Sequence, residues 1–411
     1  MEYYVERSIE SIFLKASQQF PAVAISGPRQ SGKTTLIKNL FKDSHQFVTF
    51  DDPLNRERAI SDPQLFLENL EPRVILDEIQ YVPELLSYIK IEIDRRRELN
   101  GRFIFSGSQQ FHLIKDLGES LAGRIAILNL LPFDQFEKQR SPKYKKYFQS
   151  PNDSFVFAAL KGSFPEIVVS PEKNIKLWYA SYLQTYLERD VRSLANVGDV
   201  QNFQRFVRLL AARCGQVLNL SSFASDLGVS VPTIKRWLSI LQASQIIFLL
   251  EPYYRNLGKR ITKSPKIYFL DIGMVSYLTG VREKDILFNG PMAGPLFENF
   301  VIQEIVKLFY HNGQRPNIYY LRTHNQLEID LIIEMQYDQI LPVEIKLAKT
   351  LSVSMSRPFI RLKEIFKALN ISTGRLISLA DEKIALHREV IAMPLNEFLN
   401  ELKENLVKNA D

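Results

Sequence analysis

Short apolar runs alternate with amphipathic stretches over the first part of the chain. Strands are predicted for the runs 22–26, 47–52, 73–78, 102–108 and 125–131. Helices are predicted near 33–41, 62–69 and 83–97. Strands that alternate with helices predict an α/β fold, a parallel sheet covered on both faces with its ligand at the carboxyl ends of the strands.

The pattern changes after residue 135. A segment rich in proline and lysine, 138–153, predicts a loop. Residues 173–194 place apolar and aromatic side chains three and four positions apart, which predicts an amphipathic helix. Such an aromatic stripe indicates packing more often than base stacking. We expect a linker and a helical lid over the first domain.

Two short helices followed by two strands are predicted next. The first helix, 221–228, begins with serine caps and stops at Gly228, and the second, 231–243, starts with a proline near its first turn. This spacing is typical of a helix-turn-helix, whose second helix enters the major groove of DNA. The strands 246–256 and 263–271 would add the wing of a winged helix.

Positive charge is concentrated in this same block. The chain has a net charge of +6, and residues 201–270 contain ten Lys or Arg against Asp226 and Glu251. A basic block of this kind indicates a polyanionic partner, here DNA. Winged helices also bind proteins, so that alternative stays open. The predicted DNA contacts are Lys235, Arg236, Lys259 and Arg260.

Composition sets wide bounds on the class of protein. The chain has 411 residues, of which 45% are hydrophobic and 24% are charged, as in globular proteins of several domains. The start of the sequence lacks the pattern of a signal peptide, and no apolar run approaches the ~18 residues of a membrane span. We therefore expect a cytoplasmic protein without a membrane partner. The single cysteine, Cys214, excludes an internal disulfide.

The sequence GPRQSGKT fits the phosphate-loop pattern GxxxxGK[ST] between a predicted strand and a predicted helix. Glycines let backbone N–H groups approach a triphosphate, and the following helix directs its positive end at the anion. Lys33 would reach the phosphates, and the Thr34 hydroxyl suits a Mg²⁺ shell. The predicted nucleotide-binding residues are Gly27, Pro28, Arg29, Gln30, Ser31, Gly32, Lys33, Thr34 and Thr35.

Two carboxylates follow the apolar run that ends at residue 76. Asp77 would hold Mg²⁺ with Thr34, and Glu78 would orient and activate the attacking water. A solvated turn would also carry a carboxyl pair. Ser108, after the next strand, could contact the water or the γ-phosphate, although a serine there is commonly a helix cap.

Near the carboxyl end, a helix (296–310) precedes three predicted strands, 318–323, 327–334 and 340–348. Glu344 and Lys346 would project from one face of the last strand, and a hairpin would bring Asp330 alongside. Asp330 and Glu344, completed by Glu298 from the helix, would hold Mg²⁺ for phosphodiester cleavage, with Lys346 beside them. Alternating charge on a hairpin is also found on ordinary solvated faces.

Taken together, GPRQSGKTTL, ILDEIQ, FSGSQQF, SLAGR, YLERDV and KIYFLDIG resemble the bacterial and archaeal AAA+-type ATP-binding protein family. The resemblance implies a phosphate-loop ATPase core, a winged helix and a C-terminal PD-(D/E)xK nuclease-like domain, with ATP and Mg²⁺ as ligands. It also implies that Arg124, before the fifth strand, completes a neighbour's site in a homo-oligomer. A plain surface arginine is the alternative.

These expectations give four blocks and two competing functions. The blocks are an ATPase core (1–135), a linker and helical lid (136–200), a winged helix (201–285) and a nuclease-like α+β domain (286–411). The first function is an ATP-hydrolysing, DNA-associated switch or motor. The second is a nucleotide-gated protein-interaction module with little hydrolysis and an inactive nuclease-like domain.

Overall fold

A computed structural model describes residues 4–107, 121–148, 150, 152–186, 200–253, 264–323, 327–335 and 339–408. In the N-terminal part of these residues, a parallel sheet has the spatial order β2-β3-β4-β1-β5. Its strands are β1 (Ala22–Ser26), β2 (Gln46–Thr49), β3 (Val74–Asp77), β4 (Phe103–Gly107) and β5 (Ile125–Asn129). The predicted parallel sheet is confirmed. Its carboxyl ends bring Ser26 opposite Gly107, and Asp77 opposite Ser106.

Helices cover both faces of this sheet. They are α1 (Glu10–Gln19), α2 (Lys33–Phe41), α3 (Pro53–Ser61), α4 (Pro63–Glu68) and α5 (Leu85–Arg95). Phe13 and Leu36 join α1 and α2 to the apolar core on one face, while Phe66 and Ile89 join α4 and α5 to the core on the other. The helix α1 is absent from the sequence-based expectations.

The segment after the sheet is more helical than predicted. It contains α6 (Gln135–Arg140), α7 (Pro142–Lys145), α8 (Asp153–Leu160), α9 (Pro165–Val169) and α10 (Ile175–Tyr186). The loop prediction for 138–153 is therefore wrong over most of its first half. Asp134 and Glu137 form a capping box that starts α6, and Ser141 caps α7, whose first turn contains a proline. The expected helix 173–194 is seen as α10, and residues 187–199 lie outside the described residues.

The next elements are α11 (Val200–Ala212), α12 (Leu220–Leu227), α13 (Val231–Ala243) and the antiparallel pair of β6 (Ile247–Leu250) and β7 (Lys266–Phe269). Helix α13 has the predicted bounds and is capped by Ser230. Helix α12 is capped by Asn219, two residues before the first predicted serine cap, and Gly228 ends it in a left-handed conformation with φ of 67°. The loop 254–263 lies outside the described residues.

The C-terminal part has a mixed sheet. Its strands are β8 (Ile318–Arg322), β9 (Glu328–Glu334), β10 (Gln339–Ile345), β11 (Asn370–Ile371), β12 (Gly374–Ser378), β13 (Ile384–His387) and β14 (Val390–Pro394). Strands β8, β9 and β10 are antiparallel, whereas β10, β12 and β14 run parallel. The helices are α14 (Ile272–Thr279), α15 (Lys284–Asn289), α16 (Ala293–His311), α17 (Arg357–Ile365) and α18 (Leu395–Lys408).

Helix α16 is buried along most of its length and joins the middle of the chain to the C-terminal sheet. One continuous apolar core includes Phe155 from α8, Trp237 from α13, Phe300 from α16 and Val343 from β10. The segments therefore pack as one body around α16. Among the helices in the described residues, none combines the length and apolar character needed to cross a bilayer.

Candidate nucleotide site and candidate carboxylate site

The phosphate loop joins β1 to α2 through a backbone that only certain residues can adopt. A Cβ atom added to Gly27 would lie 2.1 Å from the carbonyl oxygen of Leu130, so a side chain is excluded there. Gly32 has φ of 93° and precedes the first turn of α2. Gln30 also has a positive φ, 59°. The loop is thus a fixed turn that leads into the first turn of α2, where backbone N–H groups have no carbonyl partner within the helix.

The side chains of the phosphate loop differ in burial and in their hydrogen-bond partners. The buried ammonium of Lys33 donates to the carbonyl oxygens of Gly27 and Pro28, each at 2.9 Å. The buried Ser31 hydroxyl makes no hydrogen bond with any of the described residues. Arg29 is half-buried, whereas Gln30 and Thr35 are exposed. The loop has the backbone and the cation that a bound triphosphate needs.

Asp77 lies at the tip of β3 and accepts hydrogen bonds from hydroxyl groups. Thr34 Oγ1 lies 3.3 Å from Asp77 Oδ1, Thr49 Oγ1 lies 3.5 Å from Oδ2, and Ser106 also donates to Oδ1. Among the described residues, the partners of this buried carboxylate are hydroxyl groups, and none of them is an ammonium or a guanidinium. Thr34 and Asp77 together therefore offer two hard oxygen ligands beside the phosphate loop, which fits Mg²⁺.

Glu78 follows in a left-handed conformation, with φ of 56°. This turns the half-buried side chain out of the strand direction, and its carboxylate accepts a hydrogen bond from the amide of Gln80. A non-glycine residue at positive φ is a strained feature that often marks a functional site. Ser108 lies outside the described residues.

Arg124 lies just before β5, at the amino ends of the strands, whereas the phosphate loop follows the carboxyl end of the neighbouring strand β1. Its guanidinium makes two hydrogen bonds to Asp94 of the same chain, at 2.7 Å and 3.0 Å, and a third to the Ala122 carbonyl. A contact with a neighbouring subunit would therefore require Arg124 to leave Asp94.

A second group of carboxylates lies on the C-terminal sheet. Lys346 Nζ lies 3.1 Å from Asp330 Oδ2 and 2.8 Å from Glu344 Oε2. Backbone amides contribute as well, since Ile345 N donates to Asp330 at 2.9 Å. The predicted hairpin does bring Asp330, Glu344 and Lys346 together, with Lys346 just beyond the end of β10.

Glu298 of α16 is bound by side chains that the sequence analysis did not associate with it. Lys266 Nζ lies 3.3 Å from Glu298 and 2.9 Å from Glu328, and the Tyr268 hydroxyl donates to Glu298. Both partners come from β7, where they are two residues apart and share one face of the strand. Lys266 was counted in the basic block, but its side chain is only 4% exposed and is neutralised here.

The electrostatics of this group differ among its members. Burial and the nearby charge of Asp330 raise the pKa of Glu344 to about 8, even though Lys346 opposes this change. Burial also raises the pKa of Glu298, with Lys266 opposing. For Lys266, burial lowers the pKa, but the carboxylates of Glu298, Asp330 and Glu328 outweigh it, so the pKa is raised.

The three acids of the expected cleavage site do not converge as a ligand set. In the described part of the chain, the acid and histidine ligand atoms that lie within 4.8 Å of one another belong to Asp134, Glu137 and His311. Hydrogen bonds already saturate that set, since Arg7, Leu131 N and the capping box occupy its polar atoms. Neither group is a closed metal centre in this structure.

The predicted DNA contacts are partly visible. Lys235 and Arg236 are exposed on α13, whereas Lys259 and Arg260 lie outside the described residues. Arg213 of the same basic block pairs with Asp226 at 2.5 Å. The positive surface is therefore smaller than the count of basic residues indicated.

Comparisons with known proteins bear on the N-terminal part most directly. Residues 19–138 match the family described as an AAA domain. This match supports ATP binding and hydrolysis and confirms the expectation of an AAA-type ATPase for this part of the chain. Residues 152–285 and 293–398 match two domains of unknown function, DUF8612 and DUF4143, so the winged helix and the nuclease-like domain remain predictions.

Two mycobacterial proteins are similar to this chain over most of its length. An uncharacterized protein of Mycobacterium tuberculosis, Rv2008c, and one of Mycobacterium bovis, Mb2031c, are each 28% identical over 387 residues, 94% of this chain and 82% of theirs.

Two solved structures are similar over part of the chain. The Walker-type ATPase PABY2304 of Pyrococcus abyssi is 17% identical with a TM-score of 0.44, covering 67% of this chain and 96% of that one. The RuvB Holliday junction branch migration motor of Thermotoga maritima is 16% identical with a TM-score of 0.30, covering 58% of this chain and 86% of that one.

Proposed function

We propose that the protein is a Mg²⁺-dependent ATPase whose nucleotide state is transmitted to a DNA-associated module and a nuclease-like domain. The observation that carries the proposal is the pairing of the phosphate loop with Asp77, a carboxylate held by hydroxyl groups next to Thr34. The AAA-domain match covers both features. We place this activity in the cytoplasm.

Each residue has a role that its position supports. Backbone N–H groups of the residues from Gly27 to Thr35 other than Pro28 bind the phosphates, and the Lys33 ammonium leaves the loop carbonyls to bind phosphate oxygens. Thr34 and Asp77 would hold the metal. Mg²⁺ bound there would neutralise the phosphate charge. Glu78 accepts a proton from the attacking water, and Ser108 assists.

Lys33→Ala tests nucleotide binding. Calorimetry with MgATP should register binding by the wild type and none by Lys33→Ala, because the variant lacks the cation that faces the phosphates. Lys38→Ala is the matched control, since Lys38 is exposed on the same helix and lies over the Phe47 ring. Equal binding by Lys33→Ala and the wild type would contradict the proposal.

DNA association is the second part of the proposal, and it draws on exposed Lys235 and Arg236 at the surface of α13. Protein that contacts several phosphates should bind DNA with a steep loss of affinity as salt rises. Replacing both residues with alanine should reduce the slope of the logarithm of the binding constant against the logarithm of salt concentration by about two, roughly one per lost phosphate contact. Absent or salt-insensitive binding would favour the alternative, a protein-interaction switch.

Cleavage by the C-terminal domain is a separate candidate. The site would be formed by Glu298, Asp330, Glu344 and Lys346. Because lysine side chains pair with these acids, the arrangement favours a domain that does not cleave DNA until a metal ion displaces the lysines. Incubating DNA with Mn²⁺ decides the question: cutting by the wild type that Asp330→Ala abolishes would establish a nuclease. Equal cutting by both proteins would indicate contamination.

A homo-oligomer is the last part of the proposal. Arg124 would leave Asp94 and stabilise transition-state charge in a neighbouring subunit. Mixing Arg124→Ala with Glu78→Gln should then restore turnover, since each inactive chain supplies what the other lacks. No recovery on mixing would limit Arg124 to its own chain.

A further inference from the structure

Arg7 is a buried arginine with three separate partners around the phosphate loop. Its Nη1 donates to the Ser31 carbonyl at 2.7 Å, its Nη2 to the Leu131 carbonyl at 2.7 Å, and its Nε to the Glu137 carboxylate at 2.9 Å. The side chain is only 3% exposed. One rigid guanidinium thus connects the phosphate loop, the end of the sheet and α6.

The bond to Ser31 fixes the direction of a peptide plane. In a trans peptide, the carbonyl of one residue and the N–H of the next point in opposite directions. With the Ser31 carbonyl held by Arg7, the Gly32 N–H points away from Arg7. Gly32 is also crowded on the Arg7 side, because an added Cβ would lie 3.3 Å from Nη1.

The guanidinium itself is held in place. Phe133 lies against its face, with 4.7 Å from Cζ to the ring centroid. Glu137 is fixed in turn by the amides of Ser8 and Asp134, at 2.7 Å and 2.9 Å. The planar fork of arginine serves three acceptors at once, which the single ammonium of a lysine cannot do at these positions.

We propose that Arg7 is a positioning residue of the nucleotide site, which holds the Ser31–Gly32 peptide so that the Gly32 N–H faces the bound triphosphate. This inference rests on the proposed ATPase function. It adds a residue that lies outside the phosphate-loop motif and before the matched AAA segment. Arg7 does not contact the nucleotide and acts through the loop.

Two variants separate positioning from general stability. Arg7→Lys and Glu137→Gln both disrupt the Arg7–Glu137 ion pair, but only Arg7→Lys weakens the bond to Ser31. Arg7→Lys should bind MgATP roughly 10- to 100-fold more weakly, the range for one lost hydrogen bond to a charged group. Glu137→Gln should melt at a lower temperature yet keep MgATP affinity close to that of the wild type, because the glutamine oxygen still accepts the hydrogen bond from Arg7 Nε that holds the guanidinium in place.

Calorimetry with MgATP and thermal melting of the nucleotide-free proteins are the two measurements. Arg140→Gln is a control, because Arg140 also donates to a backbone carbonyl, that of Glu6, away from the loop. If Arg7→Lys does not fold, the double variant Arg7→Met with Glu137→Met removes both buried charges and should fold with the same loss of affinity.

Wild-type affinity in Arg7→Lys, or an equal loss in Glu137→Gln, would overturn the inference. A wild type that binds no MgATP would instead overturn the proposed function, and the inference with it.

Discussion

The two acidic sites of the molecule differ in what holds their carboxylates. In the N-terminal site, Asp77 accepts hydrogen bonds from Thr34, Thr49 and Ser106. In the C-terminal site, Asp330 and Glu344 share the ammonium of Lys346, and Glu298 binds Lys266. Hydroxyl donors orient a carboxylate but leave its negative charge in place. In the C-terminal site, Lys346 and Lys266 offset the charges of Asp330 and Glu298, and the raised pKa of Glu344, about 8, keeps that side chain protonated near neutral pH.

This difference separates two kinds of carboxylate site. In one, the negative charge is still available to a divalent cation, and in the other, lysine side chains already offset that charge. A cation entering the C-terminal site must compete with two ammonium groups, and displacing a buried ammonium leaves it without a partner. We therefore expect Mg²⁺ to act first at the N-terminal site. Four variants test this comparison.

Glu78→Gln should have the largest effect. Loss of the general base should reduce ATP turnover roughly 100- to 10,000-fold, while MgATP binding stays intact, because Glu78 takes no part in the phosphate loop. Steady-state hydrolysis and calorimetry on the same preparation measure both quantities. Turnover equal to that of the wild type would remove Glu78 from the mechanism.

Lys266→Met tests the compensated site. Removing this buried cation leaves Glu298 without its ion pair, which should lower the free energy of unfolding by about 3–5 kcal/mol. Mn²⁺ should raise the free energy of unfolding more in the variant than in the wild type, because the carboxylates of the variant lack the ammonium of Lys266. Denaturant unfolding with and without Mn²⁺ measures this.

Lys349→Met is the matched control for Lys266→Met, since Lys349 pairs with Asp381 at the surface, with 68% and 58% of the two side chains exposed. The control should unfold close to the wild type. An unchanged stability in Lys266→Met would show that the lysine pair is not what distinguishes the two sites.

Asp77→Asn tests the site that is ready for a metal. Asparagine keeps the shape and one acceptor but loses the charge, so the gain in ATP affinity that Mg²⁺ provides should fall roughly 10- to 100-fold. Calorimetry with ATP in Mg²⁺ and in EDTA measures the gain. Asp330→Asn should leave it unchanged, and an equal effect of both variants would contradict the comparison.

Glu344→Gln should have the smallest effect, and a pH-dependent one. The folded protein keeps a proton on Glu344 up to about pH 8, while the unfolded carboxyl has its ordinary pKa of 4.5. Between these values the folded state binds more protons, so this group makes stability fall as pH rises. Glutamine removes that fall, and the variant should gain about 1–3 kcal/mol over the wild type between pH 5 and pH 8.5.

Unfolding in EDTA at the two pH values measures the Glu344→Gln effect. Glu397→Gln, on an exposed position of α18, is the control and should show no such pH trend. A constant difference between Glu344→Gln and the wild type would mean that Glu344 titrates normally.

The sequence predicted the features that depend on local pattern. The phosphate loop, Asp77 at a strand tip, the bounds of α13 and the hairpin that brings Asp330 to Glu344 follow from motif spacing and strand period. The contacts of Arg7 and Lys266 could not be predicted, because they join residues that are far apart in sequence. The count of basic residues included Lys266 in a basic block expected to face a polyanion, whereas the folded protein buries its side chain.

One missed element did leave a local signal. Asp134 and Glu137 have the spacing of a capping box, which indicates a helix that starts just before the segment predicted as a loop and runs into it. The lysines and prolines around it masked that signal. Ser141 followed by a proline is a second helix start, and this one lies within the predicted loop 138–153.

Helix α16 also sets the size of the folding unit. Its Glu304 accepts hydrogen bonds from Gln135 N at 2.9 Å and Lys138 Nζ at 3.3 Å, and its His311 binds Asp134 at 2.7 Å. All these partners are buried, so a truncation at residue 138, where the AAA match ends, would strip charged side chains of their counter-ions. Fragments meant to isolate the ATPase should therefore retain α16 or be expected to aggregate.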